Sequence, residues 1–305
     1  MSPSRVTVTG ATGLLGPQLV EALRADGVEV SVLSRDPERA RTKLGDVKAF
    51  AWDLLSEPAP PQALAGRDAV VHLAGEPVAQ RWSEKAKRAI QDSRVSGTRN
   101  LIEGLRRAEN APTTLVSSSA IGYYGPRGEE PLDEDAPAGA DFLARTCVEW
   151  EREAARASEL GMRVVEVRTG VVLDSSGGAL QKMLPPFKLG VGGPVAGGRQ
   201  YISWIHASDV VGMMIAALGD ERWSGPVNAT APTPVPNRDF SRLLGHVLHR
   251  PSLLPVPGLA LRVLYGEMAE IVTTGARVVP AKALVLGYEF RHAELEQALR
   301  AALGS

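Results

Sequence analysis

Three glycines near the start of the chain, Gly10, Gly13 and Gly16, follow a short apolar run that includes Val6 and Val8. Valines at alternate positions favour a β-strand, and this glycine spacing is typical of a turn that leads into a helix and holds a diphosphate. Free backbone N–H groups and the helix dipole stabilise negative charge there without a lysine. No Gly-Lys-Ser or Gly-Lys-Thr triplet follows the glycines, which excludes the P-loop of nucleoside triphosphatases. The sequence therefore predicts a dinucleotide-binding turn.

The residues after the second apolar run, 29–33, indicate which dinucleotide binds. Sites that prefer NAD usually carry a carboxylate here for the ribose 2′-hydroxyl, whereas this chain has Ser34 followed by Arg35. A guanidinium forms paired hydrogen bonds with a phosphate monoester, and the Ser34 hydroxyl can add another. NADP(H) is therefore the predicted cofactor. Two alternatives stay open: Asp36 serves a ribose hydroxyl, or Arg35 and Arg39 belong to a solvated helix face.

Apolar segments with strand character alternate with helical patterns in the first half of the chain. The predicted strands are 5–9, 29–33, 47–52, 69–73, 113–118 and 163–168. The predicted helices are 14–26, 37–44, 83–108 and 140–160. This alternation predicts an α/β fold, a doubly wound parallel sheet of the Rossmann type with helices on both faces. Asp53, just after the third strand, is placed to meet the adenine edge of a dinucleotide, with an exposed loop acid as the alternative.

The composition changes past residue 170, where glycines and prolines cluster and separate shorter elements. These clusters lie at 176–198, 225–236 and 250–258. We predict that residues 1–170 form the NADP(H)-binding Rossmann domain, completed by a strand from beyond residue 200. Residues 171–305 are predicted to form a smaller C-terminal lobe for the substrate.

Single residues in and near this lobe give weaker signals. Asn237 is predicted to cap a helix over 238–248. His246 and His249 lie one turn apart, but no cluster of further ligands accompanies them, so no metal site is predicted. Arg168, at the end of the sixth strand, forms either a structural ion pair or a contact with the substrate lobe.

The whole chain has 305 residues, a formal net charge of −1 and 44% hydrophobic residues, which is typical of a soluble globular protein. The near-zero net charge favours neither nucleic acid nor anionic lipid as a partner. The one cysteine, Cys147, cannot form an internal disulfide, and no apolar run is long enough to cross a bilayer. A cytoplasmic protein, monomeric or homodimeric, is the expectation.

Further segments stand in an order that one enzyme superfamily shows. They are Asp53-Leu54, His72-Leu73-Ala74-Gly75, Ser117-Ser118-Ser119-Ala120-Ile121-Gly122-Tyr123-Tyr124-Gly125 and Trp204-Ile205-His206-Ala207-Ser208-Asp209. Together with the glycine turn, they resemble the short-chain dehydrogenase/reductase superfamily, and within it the extended branch that is similar to sugar-nucleotide epimerases. More narrowly, Ala74-Gly75-Glu76-Pro77, Ser93-Arg94 and Cys147-Val148-Glu149-Trp150-Glu151 resemble its atypical subgroup of "epimerase family" proteins, which has an NADP-binding fold and no settled substrate.

The resemblance implies a set of cofactor contacts. The glycine turn would hold the diphosphate, Ser34 and Arg35 the 2′-phosphate, and the segment from Leu73 to Glu76 the ribose side. Arg94 would help to clamp a phosphate, with an ordinary surface arginine as the alternative. The complete set of candidate cofactor-binding residues is Gly10, Ala11, Thr12, Gly13, Leu14, Leu15, Gly16, Ser34, Arg35, Asp53, Leu54, Leu73, Ala74, Gly75, Glu76 and Arg94.

One helix departs from the superfamily pattern. Typical members carry Tyr-x-x-x-Lys on it, and the lysine lowers the pKa of the tyrosine. Here Cys147 and Glu151 stand at the two positions. A thiol is too short to reach where the phenol would lie, and a neighbouring carboxylate raises the pKa of an acid. The usual proton shuttle therefore cannot be transferred to this chain.

Three interpretations of this departure stay open. In the first, Ser119 orients the substrate oxygen and Tyr123 or Tyr124, after the fifth strand, donates the proton, although both tyrosines fit equally well as packing residues of a turn. In the second, Cys147 is a reactive nucleophile or redox sensor, with a small buried side chain as its alternative. In the third, hydride chemistry has been lost.

The sequence thus leads to two hypotheses. The first is an NADP(H)-dependent oxidoreductase or epimerase-like enzyme, in which the nicotinamide exchanges hydride with a carbonyl or carbinol carbon of a small-molecule substrate. The competing hypothesis is a non-catalytic NADP(H)-binding sensor or partner-binding module, which the loss of the Tyr/Lys pair motivates.

Overall fold

The computed structural model of the protein describes residues 3–304. Its strands are β1 (Arg5–Thr9), β2 (Glu29–Ser34), β3 (Lys48–Ala51), β4 (Ala69–His72), β5 (Thr114–Ala120), β6 (Pro131–Leu132), β7 (Arg163–Thr169), β8 (Val171–Leu173), β9 (Tyr201–Ile202), β10 (Trp204–His206), β11 (Gly225–Ala229), β12 (Val235–Pro236) and β13 (Arg277–Val278). Its α-helices are α1 (Gly16–Ala25), α2 (Pro37–Leu44), α3 (Glu84–Arg106), α4 (Phe142–Ala155), α5 (Gly178–Lys188), α6 (Ala207–Gly219), α7 (Asn237–Val247), α8 (Gly258–Tyr265), α9 (Ala269–Thr273), α10 (Ala281–Val285) and α11 (Leu295–Leu303).

The central sheet has 7 strands in the order β11-β7-β5-β4-β1-β2-β3, and every pair of neighbours is parallel. The chain starts in the middle with β1, moves to one edge through β2 and β3, and then crosses to β4 on the other side of β1. In doubly wound sheets, ligands bind at the carboxyl ends of the strands where the order reverses. The predicted doubly wound α/β fold is confirmed, and this reversal lies between β1 and β4.

Helices cover both faces of the sheet because its strands are apolar on both sides. On one face, Val8 of β1 belongs to a buried cluster with Leu19 of α1 and Met214 of α6. On the other face, Leu115 of β5 belongs to a second cluster with Leu105 of α3. These two layers fix the carboxyl ends of β1, β4 and β5 relative to one another.

The chain beyond residue 170 contributes to two parts of the molecule. Strand β11 pairs with β7 at the edge of the central sheet, and α6 packs on β5 and β7. Strands β8 to β10 and helices α5, α7 and α11 surround a third apolar cluster that includes Trp204, Phe240 and Leu299. The division of the chain into a cofactor domain ending at residue 170 and a substrate lobe stays a prediction.

The predicted helix bounds differ from the observed ones by up to a few residues: α3 begins at Glu84 instead of residue 83, and α4 spans Phe142–Ala155 instead of 140–160. Helix α1 begins at Gly16 instead of residue 14, because residues 10–15 form the turn before it. The prediction that Asn237 caps a helix is wrong. Pro236 occupies the cap position, and the Asn237 side chain accepts a hydrogen bond from the Val195 N–H at 2.7 Å. The Asn237 side chain therefore binds the loop that contains Val195 and does not cap α7.

Candidate functional site

The glycine turn joins the carboxyl end of β1 to the start of α1. Gly10 has a φ of 66°, which L side chains rarely adopt. The Gly13 N–H donates to the Gly10 carbonyl at 2.9 Å. A Cβ at Gly16 would lie 2.2 Å from the carbonyl oxygen of Ala11. The turn can keep this path, and α1 can lie this close to it, only with glycine at positions 10 and 16.

The turn fits an anionic ligand. Gly13 is exposed, and Leu14 and Leu15 are half-buried beside it. Among residues 3–304, the backbone N–H groups of Leu14 and Leu15 have no hydrogen-bond acceptor. Both groups immediately precede α1, whose dipole adds partial positive charge. Open space next to unpaired backbone donors is what a diphosphate requires.

The segment from Leu73 to Glu76 lies directly against this turn. A Cβ on Gly10 would be 2.6 Å from the Ala74 nitrogen. The Thr9 hydroxyl lies 2.6 Å from His72 Nδ1 and accepts a hydrogen bond from the Ala74 N–H at 3.3 Å. His72 is fully buried, and burial lowers its pKa to about 4, so its ring is neutral at pH 7. A neutral buried network thus positions the segment beside the turn.

Ser34 is the last residue of β2 and Arg35 follows it, and their side chains have different environments. The Ser34 hydroxyl accepts from the Asp36 N–H at 3.2 Å and donates to the Asp36 carbonyl at 3.0 Å. The Asp36 carboxylate caps α2 by accepting from the Arg39 N–H at 3.0 Å. Arg35 is exposed. The acid that would serve a ribose hydroxyl is therefore engaged in a helix cap, while the neighbouring guanidinium faces solvent.

Lys43, which sequence reasoning did not select, also lies beside the glycine turn. It is on α2, and its Nζ donates to the Thr12 carbonyl at 2.8 Å. In the sequence Lys43 looks like any other charged residue of a surface helix. Its contact depends on how α2 packs across the turn, so no local signal could have identified it.

Asp53 and Leu54 lie after β3. The Asp53 carboxylate accepts hydrogen bonds from the Leu55 N–H at 3.0 Å and the Ser56 hydroxyl at 2.9 Å, which hold its pKa below its usual value. Leu54 packs so closely on α3 that a Cβ on Gly97 would be 2.0 Å from its Cδ1. Asp53 stabilises the turn after β3, and its contact with an adenine stays a prediction.

A buried polar cluster lies at the carboxyl ends of β5 and β7. The Ser119 hydroxyl donates to Glu151 Oε1 at 2.6 Å. Arg168 binds the same carboxylate through two hydrogen bonds of 2.8 Å, from Nε to Oε1 and from Nη2 to Oε2. Ser119 and Arg168 are neighbours across the two strands, and Glu151 reaches them from α4. Arg168 therefore forms a structural ion pair that balances the charge of Glu151.

The two candidate tyrosines differ in their surroundings. Tyr124 is fully buried, and its hydroxyl donates to Asn228 Oδ1 at 2.7 Å and accepts from Arg168 Nη1 at 2.9 Å. Burial raises the pKa of Tyr124 to about 12. Tyr123 is half-buried, and the guanidinium carbon of Arg168 lies 3.5 Å from the centre of its ring. The hydroxyl of Tyr124 is therefore used inside the protein, and Tyr123 is the more exposed of the two candidates.

Cys147 lies one turn before Glu151 on α4 and is buried. Burial, and then the charge of Glu151, raise the pKa of its thiol to about 12. At neutral pH the side chain is therefore a protonated thiol, which is a poor nucleophile and a poor redox sensor. Its surroundings favour the interpretation of Cys147 as a small buried side chain.

Glu166 on β7 is a further buried carboxyl group in this region. Its Oε2 atom is buried and has no hydrogen-bond partner within the described chain. Burial, and then the charge of Glu151, raise the pKa of Glu166 from 4.5 to about 7. Glu166 therefore holds its proton more tightly in the folded protein than in the unfolded one.

We expect Glu166→Gln to raise the free energy of unfolding at pH 8 by about 2–3 kcal/mol and to have a much smaller effect at pH 5. At pH 5 the unfolded wild type has already lost most of its Glu166 proton, whereas the folded protein keeps this proton until about pH 7, so the stability of the wild type falls as the pH rises between these values. Glutamine stays neutral, so the variant lacks this loss. Urea unfolding at both pH values measures the difference. The exposed Glu109→Gln is the control, and an equal effect of Glu166→Gln at both pH values would contradict the raised pKa.

Two residues of α3, Ser93 and Arg94, bind the segment that follows β4. Arg94 Nη1 donates to the Glu76 carbonyl at 3.0 Å, and the Glu76 N–H donates to Ser93 Oγ at 2.9 Å. The structure therefore brings the glycine turn, the segment from Leu73 and Arg94 together at one place. Ser119, Tyr123 and Tyr124 form a neighbouring group at the end of β5.

In the described range of the chain, no group of three His, Cys, Asp or Glu side chains is arranged to hold a metal ion. Between residues 3 and 304, no helix is long and apolar enough to cross a membrane.

The partners of the candidates were missed by sequence reasoning. Asn228 of β11 accepts from Tyr124, and its N–H donates to Glu134 Oε1 at 2.9 Å. The Glu134 carbonyl accepts from Arg168 Nη1 at 3.1 Å. These residues are far apart in the sequence and carry no shared pattern, so only the fold identifies them as one cluster.

Comparison with known proteins gives a consistent result. The NAD dependent epimerase/dehydratase family matches residues 6–228, and a domain of unknown function, DUF1731, matches residues 256–302. The chloroplastic epimerase family protein SDR39U1 homolog of Arabidopsis thaliana is 42% identical over 305 residues, which cover 99% of this chain and 87% of that protein. The epimerase family protein YfhF of Bacillus subtilis is 38% identical over 296 residues, with 96% of both proteins covered.

A solved structure agrees over the full length. The crystal structure of human epimerase family protein SDR39U1 (isoform 2) with NADPH has a TM-score of 0.88 and 33% sequence identity, and the match covers 99% of each chain. The predicted resemblance to an atypical branch of the short-chain dehydrogenase/reductase superfamily is confirmed. This chain therefore belongs to the NAD dependent epimerase/dehydratase family.

Proposed function

We propose that the protein binds NADP(H) and exchanges hydride between this cofactor and a carbonyl or carbinol carbon of a small molecule, as an oxidoreductase or an epimerase-like enzyme. The glycine turn carries the proposal, because Gly13 is exposed beside backbone N–H groups that have no acceptor in residues 3–304. Such a turn suits a diphosphate. Human SDR39U1, which is similar in sequence and fold, was crystallised with NADPH, and this supports the choice of cofactor.

The cofactor's adenosine half would be held by positive charge. Arg35 and the Ser34 hydroxyl would bind the 2′-phosphate, and Lys43, which donates to the Thr12 carbonyl, adds a second cation on this side of the turn. The bound cofactor would supply or accept hydride at carbon 4 of its nicotinamide. The protein's own part is to bind and orient the two molecules and to move a proton.

Ser119 and Tyr123 are the residues that we assign to the substrate oxygen. Ser119 gives its only proton to Glu151, so its oxygen is an acceptor for a substrate hydroxyl. Tyr123 would give or take the proton, and Arg168 keeps its ring in place by packing over it. Tyr124 is a positioning residue in this scheme, because its hydroxyl is bound to Asn228 and Arg168.

A second candidate is a non-catalytic NADP(H)-binding sensor. One observation favours it: Ser119, Glu151 and Arg168 form hydrogen bonds with one another inside the protein, so their polar groups do not require a substrate as a partner. Single-turnover mixing of the protein with NADPH and a broad panel of carbonyl compounds separates the two functions. Oxidation of NADPH by any compound of the panel would support the function as an enzyme. No oxidation, together with partner binding that depends on the redox state of the cofactor, supports the sensor.

We expect Arg35→Asp to weaken NADPH binding about 10- to 100-fold and NADH binding less than about threefold. Only NADPH carries the 2′-phosphate, which would lose charge-assisted hydrogen bonds and face a carboxylate instead. Isothermal calorimetry with both cofactors measures the ratio. Arg88→Asp makes the same charge change at an exposed position of α3 and should alter neither affinity. Equal weakening of NADPH and NADH by Arg35→Asp would overturn the choice of NADP(H).

A further inference from the structure

The C-terminal half of the chain carries an exposed apolar surface that is built from two adjacent segments and helix α8. Residues 187–198 lie beside residues 250–258, where the Ala196 N–H donates to the Val256 carbonyl at 3.0 Å. Helix α8 follows directly, and a Cβ on Gly258 would lie 3.5 Å from the Ala196 Cβ. Residues 187–198 and 250–263 therefore form one continuous surface, which we call the lobe patch.

The large apolar side chains of the lobe patch are exposed. Leu253 is 84% exposed, Leu259 75% and Val263 70%. None of residues 258–263 of α8 is buried. Three more apolar side chains of the patch are exposed, those of Leu189, Val191 and Leu254. A surface helix normally buries an apolar face, and a contiguous exposed apolar surface marks an interaction site. The lobe patch therefore offers apolar surface that residues 3–304 do not cover.

The charges in and around the lobe patch have one sign. Residues 175–208 and 240–266 contain none of the 35 Asp and Glu residues of the chain. They contain six of its 34 Lys and Arg residues, which are Lys182, Lys188, Arg199, Arg242, Arg250 and Arg262. The near-zero net charge of the whole chain thus conceals a local cationic region, and such a region attracts an anionic partner.

Two of these cations, Lys188 and Arg250, lie together and lack an acidic partner. The Lys188 carbonyl accepts a hydrogen bond from Arg250 Nε at 3.1 Å. In the part of the chain that the structure describes, no carboxylate oxygen lies within 4.0 Å of the side-chain nitrogens of either residue. Glu267 and Glu270, the acids that follow α8, already pair with other cations. The positive charge beside the apolar side chains is therefore uncompensated.

A second copy of the chain does not suit this surface. In a dimer with two-fold symmetry, the same patch of both subunits meets itself. Such a contact would bring Lys188 and Arg250 of both copies together without an acid between them, and like charges at an interface repel. The charge pattern therefore favours a partner of another kind.

A lipid surface suits the lobe patch better than a folded acidic protein does. Protein interfaces are usually anchored by Trp, Tyr and Arg in fitted pockets, and Leu and Val are rare among the anchors. The exposed side chains of the lobe patch are mainly leucines and valines, which a lipid interface accepts without a matching shape. Anionic headgroups also supply the negative charge that Lys188 and Arg250 lack.

We propose that the lobe patch binds the surface of membranes that contain anionic lipid. Leu253, Leu259 and Val263 would enter the boundary between headgroups and acyl chains, while Lys188 and Arg250 would bind lipid phosphates. The protein would lie on the membrane and not cross it. This inference goes beyond the proposed function, and it holds whether or not the protein transfers hydride.

The test is flotation of the full-length protein with lipid vesicles. We expect wild type to bind vesicles of about 70% phosphatidylcholine and 30% phosphatidylglycerol at least about tenfold more tightly than vesicles of phosphatidylcholine alone. Raising the NaCl concentration from about 50 to about 500 mM should weaken this binding at least about fivefold. The double variant Leu259→Ser, Val263→Ser should weaken it at least about tenfold, because less apolar surface enters the lipid. Lys188→Gln, Arg250→Gln should weaken it at least about tenfold as well.

Two matched double variants are the controls. Leu284→Ser, Val285→Ser removes the same two types of side chain at exposed positions of α10. Lys48→Gln, Arg152→Gln removes two exposed cations on β3 and α4. Both controls should bind the anionic vesicles within about twofold of wild type.

The proposal is overturned if wild type binds neither kind of vesicle, or if both patch variants bind the anionic vesicles as tightly as wild type does. A dimer in light scattering that Leu259→Ser, Val263→Ser converts to a monomer, without vesicle binding, would assign the patch to a second copy instead. If this variant does not fold, Leu259→Cys labelled with an environment-sensitive dye replaces it, since Cys147 is buried. Its fluorescence should shift to shorter wavelength on anionic vesicles, and no shift would count against the patch.

Discussion

Replacing Arg168 with methionine is expected to lower the free energy of unfolding at pH 7 by about 3–5 kcal/mol. The guanidinium is buried and donates two hydrogen bonds of 2.8 Å to Glu151 and one of 2.9 Å to Tyr124. Methionine has a similar length but no charge, so Glu151 would stay in the interior as an uncompensated carboxylate. Urea unfolding followed by fluorescence measures the loss.

Two controls separate charge from packing. The double variant Arg168→Met, Glu151→Met removes both charges together and should lie within about 2 kcal/mol of wild type. Arg99→Met removes a half-exposed arginine whose partner Glu153 keeps a second ion pair with Arg156, so a loss below about 1 kcal/mol is expected. A double variant as unstable as Arg168→Met alone would show that lost packing, and not the unpaired charge of Glu151, is responsible.

Tyr123→Phe is expected to lower the single-turnover rate of NADPH oxidation about 10²- to 10⁴-fold, the range that general acid catalysis usually contributes. The variant keeps the ring that packs against Arg168 and removes only the hydroxyl. NADPH affinity should therefore be unchanged, and stopped-flow absorbance with the most active compound of the carbonyl panel measures the rate.

Tyr124→Phe is the matched control for this variant. It removes a hydroxyl that lies in the interior between Asn228 and Arg168, so we expect it to cost about 1–3 kcal/mol of stability and to leave most of the rate. The opposite outcome, in which Tyr124→Phe loses the rate and Tyr123→Phe keeps it, would transfer the proton-donor role to Tyr124. Full rates in both variants would remove both tyrosines from the mechanism.

The parts of the molecule that were predictable from the sequence depend on short-range patterns. The strand residues Val6 and Val8 and the three glycines after them lie close together in the sequence, so their spacing alone predicts the path of the backbone from β1 through the turn to α1. The alternation of strands and helices then restricts the sheet topology, because parallel crossovers have one preferred hand.

The candidate site was less predictable because its decisive contacts join distant segments. Glu151 is seen in the sequence as a substitute for a lysine, but its pairing with Arg168 depends on the register between β5 and β7 and on the position of α4. Lys43 reaches the glycine turn only because α2 packs beside it. Asn237 shows the same limit at a helix start, since its side chain binds a loop that the sequence leaves unplaced.

The edge position of β11 has a consequence for how the chain matures on the ribosome. Strand β7 is complete at Thr169, but the strand that covers its edge ends at Ala229, about 60 residues later. At typical synthesis rates of about 5–20 residues per second, the edge of β7 waits about 3–12 s for its neighbour. During that interval the edge of β7 presents a row of unpaired backbone groups, so we expect the nascent chain to be more prone to aggregation before β11 is made than after it.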